Sequence, residues 1–163
     1  PTSPTAYTWQ DSRIALLSHC PFAHPSMMAR RYAIEQVGGY SSMRRAQDYE
    51  LWLRSAAAGL RLVRTGRYVI GYRQSEAQVI RQPGFGDSIR SDATLWSAYR
   101  QLAAQFFPRD DWNLPSADSI SDSKRTHLFR QLEDIAASMS WPNSLRYGRY
   151  ARLGTSTLIG GKA

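Results

Sequence analysis

Apolar positions recur at helical spacing along most of this chain, with shorter alternating or continuous runs in its first half. Thr8-Trp9-Gln10-Asp11 has the form of a capping box, with Asp in place of the usual Glu, and predicts a helix over 9–18 with Ile14 and Leu17 on one face. Pro21 and Pro25 enclose a constrained loop, and Ser26 to Ala29 reads as a short buried strand. Arg31 to Val37 predicts a short helix, closed by Gly38-Gly39 with the positive φ a helix end needs. A polar loop then leads into the best-defined element. Tyr49, Trp52, Leu53, Ala56 and Ala57 fall on one side of a helix over 46–58, and Gly59 is its natural stop. Leu60 to Arg64 and Arg67 to Tyr72 read as two strands joined by a turn at Thr65-Gly66, with alternation clearest in the second.

Gln82-Pro83-Gly84-Phe85-Gly86 marks a change in character. Beyond it, Ile89, Leu95, Trp96, Tyr99, Leu102, Ala103 and Phe106 predict a long helix capped by Asp87 or Ser88 and closed by Pro108. A turn-rich link follows. Leu128, Leu132, Ile135, Ala136 and Met139 then predict a helix over 122–140, and a short basic helix is expected over 144–153. The expected fold class is α/β: a mixed α/β part over 1–82, then a mainly helical region over 83–163 with a mobile tail.

Composition narrows the class. The 163 residues suffice for a domain with a core, and 42% are hydrophobic, which excludes a disordered chain. No apolar run approaches the ~20 residues of a membrane helix. The first residues lack the basic and apolar regions of a signal peptide, so a cytoplasmic location is expected. Cys20 is the one cysteine, which excludes an internal disulfide and a cysteine-cluster zinc site. It reads as a small hydrophobe rather than a nucleophile. The net charge of +8 is carried almost wholly by arginine, lysine standing only at Lys124 and Lys162. Such a balance suits an anionic partner or a merely solvated basic face. Arg146-Tyr147-Gly148-Arg149-Tyr150-Ala151-Arg152 interleaves arginine with aromatics, a pattern that can serve an anionic membrane surface and, less readily, nucleic acid.

An ordered series of short stretches adds a family resemblance. Pro21-Phe22-Ala23-His24-Pro25-Ser26-Met27-Met28-Ala29-Arg30-Arg31 is followed by Val37-Gly38-Gly39-Tyr40, then Ala46-Gln47-Asp48-Tyr49-Glu50-Leu51-Trp52-Leu53-Arg54, Gly59 and Gly71-Tyr72-Arg73. Over about residues 10–75 the chain resembles the acceptor-side, C-terminal half of a family 2 inverting glycosyltransferase of the GT-A fold. The resemblance implies that Asp48 is the general base, taking the proton of an acceptor hydroxyl as its oxygen attacks the anomeric carbon of a nucleotide-sugar donor. A helix N-terminus suits that ionised form, and it also suits a carboxylate that merely caps its helix. Further implied contacts to substrate are His24 in the proline-bounded loop, Arg45 and Gln47 before Asp48, Tyr49 after it, and Arg73 at a strand end. On residue type alone His24 is equally a structural histidine, Tyr49 equally a core residue, and Arg45 and Arg73 equally surface charge.

The departures from the family pattern are specific. Gln47 stands where an acid is usual; it can hydrogen-bond a sugar but carries no charge. Ser75 stands where a histidine often helps hold the diphosphate or metal. No Asp-x-Asp motif is present, so the nucleotide-binding half is expected to lie elsewhere. The chain is then a fragment, inactive by itself. A divalent metal, Mg or Mn, is expected for the complete enzyme and none for this chain alone. The expected partners are a nucleotide-sugar donor and a saccharide or lipid-linked acceptor, at a site peripheral to the inner membrane face. The alternative is a non-catalytic basic module for an anionic membrane surface or nucleic acid.

Overall fold

In a computed structural model, residues 6–137 are described, except 72, 74, 79, 80, 109 and 111. The architecture is mainly helical. In chain order the helices are α1 (Trp9–Leu16), α2 (Arg31–Gln36), α3 (Gln47–Ala57), α4 (Phe85–Arg90), α5 (Ala93–Phe106) and α6 (Asp122–Ala136). Among the described residues, single 3-10 turns span His24–Ser26 and Ala117–Ser119.

The helix starts follow local chemistry. At α1 the Thr8 hydroxyl accepts from the Asp11 amide at 3.2 Å while the Asp11 carboxylate accepts from the Thr8 amide at 3.1 Å, which completes the capping box. Ser121 caps α6 through the Lys124 amide. The expected long helix through residue 107 is two helices. Asp92 turns its carboxylate onto the Thr94 and Leu95 amides at 2.8 and 3.0 Å, so it starts α5 afresh and α4 ends at Arg90. Gly38 and Gly39, with φ of 82° and 68°, close α2 in the left-handed region that side chains disfavour.

The core is organised on α3, which buries residues around most of its circumference: Tyr49, Leu51, Trp52, Leu53 and Ala56. Its principal partner is α5, with α1 packed beside it and α6 against α1. One apolar cluster therefore runs from Ile14 and Leu16 of α1 through α3 to Leu95, Leu102 and Leu132. Residues beyond 82 pack directly on those before it. The Tyr99 hydroxyl donates to the Leu17 carbonyl at 3.0 Å, and the Gln105 amide donates to the Ala57 carbonyl at 2.9 Å. Trp96 stacks on Tyr99 with centroids 5.6 Å apart, and Trp112 closes the aromatic group.

The expected strands do not form among the described residues. Ser26 ends a 3-10 turn, and Met28 after it is 99% exposed. Of the two later strands, only an isolated antiparallel bridge appears, where Tyr7 and Arg64 exchange hydrogen bonds of 2.9 and 3.1 Å. Val63, Tyr68, Val69 and Ile70 face solvent. The physical reason is pairing: β-propensity measures fit against neighbouring strands, and a single ribbon in water is marginal. An α/β assignment is thus replaced, over the described residues, by a mainly helical one. Tyr72, the last residues of the expected helix over 122–140, the basic stretch Arg146 to Arg152 and the tail lie outside the described residues.

Candidate functional site

The N-terminus of α3 is entered through a left-handed residue. Ala46 has φ 54° and ψ 25°, a conformation that costs a non-glycine residue roughly 1–2 kcal/mol, and no side chain caps the helix there. Gln47 and Asp48 therefore open the helix as its first two residues, both half-buried, where free amides and the helix dipole favour negative charge.

The proline-bounded loop packs on α3 one turn past this helix start. Burial, and after it the Asp48 carboxylate, push the Cys20 thiol up to about 12, partly offset by its bond to the Phe22 carbonyl at 3.5 Å. The thiol is thus kept protonated at neutral pH and is no nucleophile. Phe22 meets the Trp52 ring edge-on, with centroids 5.9 Å apart and an interplanar angle of 65°. Trp52 lies one turn beyond Asp48 on α3, at i,i+4 spacing. Cys20, Phe22 and Trp52 are thus linked by contacts, and Asp48 is near enough for its charge to act on the Cys20 thiol.

The other expected site residues are placed as follows. His24 Nε2 lies 2.8 Å from the Tyr40 hydroxyl, with the rings 5.5 Å apart, so the loop is tied to the segment preceding α3. Arg45 donates to the Ser88 hydroxyl at 3.2 Å, which joins the helix entry to α4. Tyr49 is 2% exposed, and its hydroxyl donates to the Leu16 carbonyl at 2.6 Å. That side chain is part of the core and offers a substrate no open face. Arg73 is exposed in the segment after Ile70, and its carbonyl accepts from the Gln78 amide at 2.8 Å; no contact among the described residues joins it to the start of α3.

Three residues that pattern reading passed over shape the site. Tyr40 is the hydrogen-bond partner of His24. Glu50 and Arg54 form an ion pair whose guanidinium also donates to the Val37 and Gly39 carbonyls, fixing the turn that leads to Tyr40. Their i,i+4 spacing was the signal available in the sequence. A separate open groove of about 540 Å³ lies at the far end of α3, lined by Gln36, Val37, Arg54, Ala57, Gln101 and Gln105. It is not at Asp48.

The donor set around Asp48 does not fit Mg or Mn. These hard cations take several oxygen ligands, and here one carboxylate is accompanied by an amide and a protonated thiol. Among the described residues no group of three or more His, Cys, Asp or Glu could hold a metal ion, and no helix is long and apolar enough to cross a membrane. No family model, no curated protein and no solved structure matches the chain.

Proposed function

We propose that this chain is the acceptor-side half of a family 2 inverting glycosyltransferase, with Asp48 as its general base. The observation that carries the reading is the meeting of two stretches distant in sequence. The loop after α1 meets α3 where the Phe22 ring packs edge-on against Trp52, one turn past the half-buried Asp48, and the Cys20 thiol is near enough to Asp48 to feel its charge. The dipole of a helix N-terminus favours negative charge, and a carboxylate there suits the part of proton acceptor in the proposed reaction.

In the proposed reaction the acceptor hydroxyl gives its proton to Asp48. Its oxygen attacks the anomeric carbon from the face opposite the leaving group and forms the new glycosidic bond. The bond from that carbon to the diphosphate breaks, and the nucleoside diphosphate departs with the electron pair. The diphosphate and any Mg or Mn belong to a nucleotide-binding half, because the residues around Asp48 do not suit them. The finer α/β, GT-A-like fold goes with the same reading. Met27, Met28, Val63, Val69 and Ile70 are exposed apolar residues in segments of strand-like composition, suited to pairing once such a half supplies neighbours.

The test is Asp48→Asn in the enzyme containing both halves. Transfer should fall by roughly 10²–10⁴-fold, the range of general-base catalysis, with nucleotide-sugar binding retained. Turnover within a few-fold of wild type removes Asp48 as the base.

One observation supports a second reading, a basic module for an anionic membrane surface. Arg61, Arg67, Arg73 and Arg81 are all exposed, and Glu76 is the sole acid between residues 60 and 82. Binding to phosphatidylglycerol vesicles should then weaken steeply with salt and be indifferent to Asp48→Asn. Equal binding to neutral phosphatidylcholine vesicles, or none at low salt, removes that reading.

A further inference from the structure

Three helices end around the open groove at the far end of α3. Gln36 is the last residue of α2 and Ala57 the last of α3, while Gln101 and Gln105 stand one turn apart near the end of α5. The groove holds about 540 Å³, within the range of small-ligand sites. Gly38, Ala57 and Ala58 add little bulk to its lining, and of the described residues there Val37 alone has a larger apolar side chain.

Its polar groups divide into a fixed set and a free set. The Arg54 guanidinium gives Nε and one Nη2 hydrogen to Glu50, the other Nη2 hydrogen to the Gly39 carbonyl and one Nη1 hydrogen to the Val37 carbonyl. A guanidinium carries two hydrogens on each terminal nitrogen, so the second Nη1 hydrogen remains for a ligand. A Cβ on Gly38 would lie 3.9 Å from Nη1, and glycine leaves that side of the guanidinium uncovered. Gln105 is braced at both ends: Nε2 donates to the Ala57 carbonyl at 2.9 Å, and Oε1 accepts from Arg13. Gln36 and Gln101 are exposed, and their side-chain amides bond no described residue, so each presents two donors and an acceptor to the groove.

Charge and group type select the ligand. The Arg54 charge is offset by Glu50 and by the negative ends of three helix dipoles, so the groove does not favour an anion. Amides suit partners that both donate and accept, and every saccharide hydroxyl does both. An extended peptide would need pockets for alternate side chains, which small residues and one valine do not form.

We propose that this groove binds a neutral saccharide, its hydroxyls held by Gln36, Gln101 and the open Nη1 hydrogen of Arg54. From Asp48 to Ala57 is roughly 14 Å along the helix axis, so the site is separate from the proposed base and does not rest on the glycosyltransferase reading.

The experiment is an NMR titration of the full chain labelled with ¹⁵N, with maltotriose and cellotriose as neutral saccharides, triglycine as a peptide and inorganic phosphate as an anion. One or both saccharides should shift the Gln36 and Gln101 side-chain amides, the Arg54 Nε–H and the Gly38 amide, and saturate at millimolar concentration. Gln36→Ala combined with Gln101→Ala, at two exposed positions, should weaken that binding roughly ten-fold or more through the loss of hydrogen bonds. Asp48→Asn should leave it unchanged. No shift at these groups with either saccharide overturns the proposal, as does equal binding by the double variant. A response to triglycine or phosphate without one to the saccharides overturns the ligand class. Weakening by Asp48→Asn would move the saccharide to the start of α3 and overturn the proposal as well.

Discussion

Glu50 and Arg54 stand one turn apart on α3, and their ion pair reaches out to hold a different part of the chain. Glu50 is 2% exposed, and the Arg54 guanidinium donates at 2.9 Å to one carboxylate oxygen and through Nε to the other. The same guanidinium takes the Val37 carbonyl and, at 2.7 Å, the Gly39 carbonyl. An exposed pair at this spacing contributes a few tenths of a kcal/mol. Here burial and the two extra carbonyls make it a clamp between α3 and the end of α2.

Arg54→Ala should therefore destabilise the chain by about 3 kcal/mol, because it leaves a buried carboxylate and two carbonyls without their donor. Arg54→Lys should recover only part of this, since an ammonium lacks the planar fork that reaches all four oxygens. Urea denaturation followed by circular dichroism measures both. A loss below about 1 kcal/mol for Arg54→Ala would place the pair among ordinary surface pairs.

His19 sets a pH dependence of stability. Burial, and after it the Arg64 charge, pull its imidazole down from 6.5 to about 4. The native state thus refuses a proton that the unfolded chain accepts. Stability is full above pH 6.5 and declines as the pH falls toward 4. The loss across that window is on the order of 3 kcal/mol. Urea midpoints from pH 7 down to 4.5 should show the decline, and His19→Gln should flatten it. An unchanged slope in the variant assigns the dependence to another group.

The Cys20 thiol reports on the start of α3. Held at about 12, it should react with a disulfide reagent at pH 8 far more slowly than a free cysteine. Asp48→Asn removes a charge that raises the thiol, so its pKa should fall and its reaction quicken several-fold, with burial still keeping it slow. Parallel rates with a thiol-specific chromogen compare the two chains. Identical rates would mean that the loop does not lie against Asp48 in solution.

Elements whose boundaries rest on local chemistry were legible along the chain. The capping box at Thr8 and Asp11, the Gly38-Gly39 stop and the apolar face of α3 are each set within a few residues. The break between α4 and α5 was passed over because apolar spacing continues across it, while the decisive contact is Asp92 on two amides just ahead. The strands over 60–72 were misread because their pattern describes a pleated surface and says nothing of a partner. At the candidate site, Asp48 and the proline-bounded loop were visible as motifs. Tyr49 was ambiguous because its spacing fits both core and cleft, and only the Leu16 carbonyl at its hydroxyl distinguishes them.

The sequence by itself determined the capped start of α1, the glycine stop of α2, the apolar face of α3, and that one carboxylate opens the central helix. Those properties depend on neighbours within one or two turns, which the chain order contains. Tertiary structure alone decided that α5 packs on α3 across residue 82, that Arg54 clamps Val37 and Gly39, and that Trp52 is buried under the Phe22 ring. These are contacts between segments far apart in the chain. Burial and hydrogen-bond partnership arise only when such segments meet.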